Sequence, residues 1–128
     1  MNAKIMIIDA HPVYAPKTAG FLGSLTFKNI TVVSSGLKAM EAIAGDKPDV
    51  IILSAVLPDA DSVALAGQIK SQYSSSIAII VQTGLLTSPQ VMETFRSVGV
   101  EYVLPRLEKD WSAFQEALTE ILALKRQV

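Results

Sequence analysis

Cysteine is absent from this sequence, and histidine occurs once, at His11. Those two absences remove disulfides, thiolate nucleophiles and Cys-based metal sites, and leave no His cluster for zinc. Charge is also scarce: 11 Lys and Arg stand against 12 Asp and Glu, a net charge of -1. No basic face or stripe is left for nucleic acid, and the densest basic cluster, Lys125-Arg126, is a helix-end pair that complements a helix dipole. Long apolar runs are missing as well. Ile5 to Ile8, between Lys4 and Asp9, is too short for a signal-peptide core and far too short for a membrane span, so the chain reads as a cytoplasmic protein. Glycine is missing where a phosphate-binding turn would need it. Ala10-His11-Pro12 cradles no phosphate, which argues against a flavodoxin-like flavin or nucleotide enzyme.

What the chain does have is apolar residues at 50% over 128 positions, enough for one substantial core and a single domain spanning 1-128. Lys4 to Asp9 reads as a first buried strand closed by an acid. Val13 to Leu25 reads as a helix with Pro16 in its first turn. Ile30 to Val33 is a second strand, followed by a helix from Leu37 to Ala44 that Gly45 stops. The third strand lies in PDVIILSAVLPDADS, where Val50 to Leu53 runs into Ser54. Val63 to Tyr73 is the third helix, and Ile77 to Val81 the fourth strand, running into Gln82-Thr83-Gly84. Ser88-Pro89 caps a fourth helix that ends at Gly99; Glu101 to Leu104 is the fifth strand, and Asp110 caps a last helix.

Five strands that each lead into a helix through short connections predict an α/β domain with a parallel sheet, because parallel neighbours need crossover helices. The five-strand count favours a flavodoxin-like (βα)5 three-layer sandwich in strand order 2-1-3-4-5. Its site lies at the carboxyl ends of strands one and three, which here are Asp9 and Ser54.

With those residues in view, the chain resembles a response-regulator receiver domain of the LuxR/NarL-like subgroup over essentially its whole length. IMIIDAHPV resembles the family's first strand and turn, PDVIILSAVLPDADS its third strand and loop, IIVQTG its fourth strand with the switch hydroxyl, and VGVEYVLP its fifth strand with an aromatic. The resemblance implies Mg²⁺ held by carboxylates and water, and a phosphoacceptor Asp that takes a phosphoryl group from a histidine kinase. Carried over position by position, the acid pair becomes Asp9 and Ala10, the phosphoacceptor becomes Ser54, the switch pair Thr83 and Tyr102, and the Lys position Pro105, or Leu104 in the shifted register. Arg106 is the nearest cation.

One carboxylate is a poor Mg²⁺ site, and a serine hydroxyl forms no acyl phosphate and needs a base to attack phosphorus. Loss of the Lys also removes the charge that would face a phosphoryl group. The expectation is a degenerate receiver with no catalytic residue and weak or absent Mg²⁺ binding. Its vestigial pocket is Asp9, Ala10, Ser54, Thr83 and Pro105, and it acts through protein partners in two-component signalling. Asp9, left without a metal, should be paired by Arg106 or His11. Asp59 and Asp61 shape a loop and cap a helix rather than bind metal. The fourth helix to the fifth strand, with Leu85-Leu86 and Arg96, is the expected partner surface, and a homodimer stays open. Two alternatives also stay open: a receiver cut from a longer LuxR/NarL-type transcriptional regulator, and a receiver with a non-standard phosphoacceptor such as Asp59.

Overall fold

Short Ile- and Val-rich runs separated by helices at helical apolar spacing leave little choice but to stack strands side by side. A computed structural model describes residues 3-73, 76-83, 88-106 and 111-126. The strands are β1 (Lys4–Ile8), β2 (Asn29–Val33), β3 (Val50–Ser54), β4 (Ala78–Thr83) and β5 (Tyr102–Pro105). The helices between and after them are α1 (Tyr14–Ser24), α2 (Gly36–Gly45), α3 (Ser62–Tyr73), α4 (Pro89–Ser97) and α5 (Ser112–Arg126). All neighbouring strands pair in parallel, in the order β2-β1-β3-β4-β5 expected from the sequence. Element ends fall within about two residues of the sequence reading. No described helix is long and apolar enough to cross a membrane.

The central strands are buried on both faces, which is why they read as unbroken apolar runs rather than alternating ones. Alternation still sorts their side chains. Met6, Ile8, Ile51, Leu53, Ile79 and Val81 pack against α2, α3 and α4 through Ala39, Ile43, Leu65, Ile69 and Phe95. Ile5, Ile7, Val50, Ile52, Ala78 and Ile80 pack against α1 and α5 through Leu22, Phe114, Leu118 and Ile121. Each fully buried Ile, Leu or Phe contributes about 1.5–3 kcal/mol of transfer free energy, so the two layers hold the sheet together, and its all-parallel pairing brings the five carboxyl ends to one side. α4 begins on a Ser88 cap with Pro89 just inside, and stops at Gly99, whose φ of 100° suits glycine.

The loop after β3 is clamped to the start of α2. Asp59 accepts hydrogen bonds from the Gly36 and Leu37 amides at 2.8 and 3.1 Å, two donors that a helix leaves unsatisfied at its first turn. Gly36 permits this approach, since a Cβ there would stand 2.8 Å from the Ala60 Cβ. Asp61 caps α3, taking the Val63 amide at 2.9 Å, so Ser62 is the first helical residue rather than the cap. Both acids therefore do the work of shaping a loop and capping helices.

The Gly36 and Leu37 amides hold the Asp59 carboxyl below the usual carboxylate range. A depressed folded-state value gives stability that is complete above the unfolded value and is lost as pH falls through the folded one. Unfolding by urea at a series of pH values should therefore find Asp59→Asn less stable than wild type at neutral pH. The gap should begin to narrow only as pH falls below about 4, the ordinary carboxylate value, and should close as pH falls further through the lower folded-state value.

Candidate functional site

Position along a strand decides which side chains meet at its carboxyl end. Asp9 follows Ile8 on β1 with the parity of Ile5 and Ile7; Ser54 ends β3 with the parity of Val50 and Ile52. Both face the side of the sheet that α1 covers. β5 adds a third member. Tyr102 and Leu104 pack on this same face, and the Arg106 amide donates to the Thr83 carbonyl at 2.7 Å, so pairing continues one residue past Pro105. The next step on the α1 face is therefore Arg106, not Pro105. Pro105 pairs with Thr83 in register, and its side chain is exposed.

Arg106 is the hub of the site. One guanidinium nitrogen, Nη2, donates to Asp9 Oδ1 at 3.0 Å and to Ser54 Oγ at 2.6 Å. The Asp9 and Arg106 side chains are 3% and 8% exposed, so this ion pair is withdrawn from water. Asp9 Oδ1 also accepts from the His11 amide at 2.9 Å. The Ser54 hydroxyl donates to the Val56 carbonyl at 2.9 Å and accepts from the Val56 amide at 3.2 Å as well as from Arg106. Its proton lies on a carbonyl, which is no base, and a guanidinium faces its lone pairs. The guanidinium also stacks over Tyr14, 4.7 Å from the ring centroid. Of the two partners expected for Asp9, Arg106 supplies its side chain and His11 only its backbone amide, so a pocket without the Lys still holds a cation, placed there by strand alternation at position 106.

His11 is exposed in the turn after β1. Its Nδ1 accepts from the Val13 and Tyr14 amides at 3.1 and 3.3 Å, capping α1 where a Ser or Asp would ordinarily do so. Ala10, Tyr14, Val56, Leu57 and Pro58 wall an open cleft of about 500 Å³ above Ser54 and Arg106. Ala10 supplies no side-chain oxygen, and among the described residues Asp9 is the one carboxylate bonded to Arg106. Among the described residues no group of three His, Asp or Glu side chains is placed to hold a metal ion.

Thr83 and Tyr102 are not brought together. Thr83 is buried at the end of β4 with the parity of Ile79 and Val81, toward α4, whereas Tyr102 packs on the α1 and α5 face. The Tyr102 hydroxyl donates to the Glu120 carboxylate on α5, and that bond, with burial second, pushes the phenol above its ordinary value. On α4, Val91 and Arg96 face outward; Leu85, Leu86 and Asp110 lie outside the described residues. Sequence reasoning missed two supports, Thr18 and Gln82. Their buried side chains meet at 3.3 Å on the face Asp9 and Ser54 share. A polar residue inside the apolar IIVQTG run was the signal available.

Comparison with known proteins gives one consistent result. The model of the response regulator receiver domain matches residues 5–120. Among solved structures, the beryllofluoride-activated N-terminal receiver domain of Klebsiella pneumoniae RstA is 22% identical with a TM-score of 0.81, over 92% of this chain and 97% of that one. The receiver domain of a DNA-binding response regulator from Colwellia psychrerythraea is 21% identical with a TM-score of 0.86, over 95% and 99%. A LuxR-family DNA-binding response regulator from Staphylococcus aureus is 16% identical with a TM-score of 0.77, over 93% and 98%. No curated protein matches the chain.

Removing one member of a buried ion pair strands the other, which costs about 3–5 kcal/mol, whereas replacing both by apolar groups of similar size is close to neutral. Arg106→Met should lower the urea unfolding free energy by that amount, and Asp9→Leu combined with Arg106→Met should recover most of it. A double variant no better than the sum of the singles would show that the two groups act independently.

Proposed function

The chain belongs to the response regulator receiver domain family, and we propose that it is a receiver that signals without aspartyl phosphorylation, through protein–protein contacts in a cytoplasmic two-component pathway. The observation that carries this reading is the Arg106 guanidinium shared between Asp9 and Ser54. In the family these strand ends hold a metal and a phosphoryl acceptor. Here they hold a cation built into the chain.

Mg²⁺ does not fit this donor set. The ion demands near-octahedral oxygen ligation and gives up water reluctantly, while position 10 is alanine and Asp9 Oδ1 already accepts from an arginine and an amide. A cation ligated by Asp9 would meet the like charge of a guanidinium that lies 3.0 Å from the same carboxylate. The Ser54 proton lies on the Val56 carbonyl, which is no base. The module is accordingly a signalling receiver and not an enzyme. The α4 surface, with Val91 and Arg96 outward, is the face we assign to a protein partner, whether the receiver stands alone or serves an output domain.

Phosphorylation at Asp59 is the rival reading within the same family. Both Asp59 oxygens are bound by α2 amides, which lowers their nucleophilicity and ties up the group an acceptor would have to release. Incubation with acetyl phosphate and Mg²⁺, followed by intact mass, should leave the chain unmodified. A phosphate adduct that persists in Asp59→Asn would overturn the reading at Ser54 or Asp9. An adduct that disappears in Asp59→Asn would establish the rival.

A further inference from the structure

Three rings set the spacing of α1 and α5 where the two helices cover the sheet side by side. Phe21 stacks on Trp111 with centroids 4.6 Å apart, and Phe114 packs against both at 5.9 and 5.7 Å. One turn further along, Leu25 stands in the place of Phe21, and Gln115 and Leu118 in the places of Trp111 and Phe114. These side chains are smaller than the rings above them, and they leave a hole of about 210 Å³ between the end of α1 and the middle of α5. Leu118 and Phe27 are buried at its floor, Leu122 adds to the wall, and Thr119 and Ala123 stand exposed at its rim. No charged residue lines it.

The wall that closes the hole on the α1 side is fixed by strained backbone. Thr26 has a φ of 71°, a left-handed conformation that a β-branched residue seldom adopts. It is held there because its amide donates to the Gly23 carbonyl at 3.0 Å and the Phe27 amide to the Leu22 carbonyl at 3.3 Å, the bonds that end a helix in this way. Strain of this kind persists only where the surroundings over-determine it, so Leu25 and Phe27 are set against α5 before any ligand arrives. Water is a poor occupant of such a floor, since it needs two to four polar partners and an apolar cavity of about 150 Å³ takes benzene instead. The polar groups are at the rim. Thr119 Oγ1 donates to the Gln115 carbonyl at 2.8 Å, which leaves its lone pairs to accept a further hydrogen bond. We propose that this hole is a binding site for a small, neutral aromatic molecule with one hydrogen-bond donor, of the size of indole or a phenol, its ring on Phe27 and Leu118 and its donor on Thr119. The inference goes beyond the function proposed above and does not rest on it.

Titration of the labelled full chain with indole, followed by its backbone amide spectrum, tests the site. The amides of Leu25, Thr26, Phe27, Thr119 and Ala123 should shift saturably, with a dissociation constant on the order of 1 mM or below, as suits a ligand of so few atoms. Those of Asp9, Val56 and Arg106 should stay in place. Benzoate, a ring of similar size that carries a charge, should shift none of them, because it would give up its water to a hole without a cation. Ala123→Phe puts a ring of the chain's own into the hole and should abolish the indole shifts with an unchanged far-ultraviolet dichroism spectrum. Thr119→Val keeps the shape, removes the acceptor and should weaken indole binding. A wild-type chain with no saturable shift, shifts centred on Ser54 and Arg106, an equal response to benzoate, or indole binding undiminished in either variant would each overturn the proposal.

Discussion

A guanidinium buried between a carboxylate and a hydroxyl, at the place where three strands end, is the constraint on which the carboxyl end of this domain depends. Withdrawing Arg106 and Asp9 from water costs several kcal/mol per ion. The arrangement is tolerable because the donors and acceptors around it are matched: Arg106 Nη2 serves Asp9 and Ser54, Asp9 also takes the His11 amide, and Tyr14 covers the guanidinium with its ring. The pair joins residues 97 positions apart, so it ties the end of β5 across the end of β4 to those of β3 and β1, which no local hydrogen bond could do.

Once that internal cation is in place, the neighbouring loops follow. Ser54, relieved of any duty as an acid, turns its hydroxyl onto Val56 and fixes the next loop. Asp59 then seats that loop on α2, with Gly36 leaving just enough room. The result is an end of the sheet at which, among the described residues, Asp9, Asp59 and Asp61 are each already engaged by hydrogen bonds and no three His, Asp or Glu side chains converge on a metal position. Family membership alone would not have indicated this, since solved receivers at 16 to 22% identity share the fold and say nothing of these contacts.

The fold was legible because the central strands β1, β3 and β4 are apolar runs rich in Ile and Val, such as VIILS, bounded by Pro, Gly or Ser, and because parallel strands with connecting helices allow few topologies. Asp9 and Ser54 were legible as strand-end residues. Arg106 was legible as a candidate partner of Asp9, but its shared contact with Ser54 was not: placing it on the α1 face requires knowing that β5 stays paired through the Arg106 amide, past a proline that ordinarily ends a strand. The Thr18–Gln82 pair, 64 residues apart, leaves no local pattern to read. His11 as a helix cap was hidden for another reason, since its Nδ1 takes the part that Ser, Asp or Asn usually plays.

The central claim is that Arg106 occupies the ground a metal and a phosphoryl group would need. Backbone amide spectra of the labelled full chain, recorded with and without Mg²⁺ and beryllofluoride, test it most directly. The account predicts that the amides of Asp9, His11, Val56 and Arg106 keep their positions at millimolar Mg²⁺. Saturable displacement of those four resonances, spreading to Thr83 and Tyr102, would contradict it.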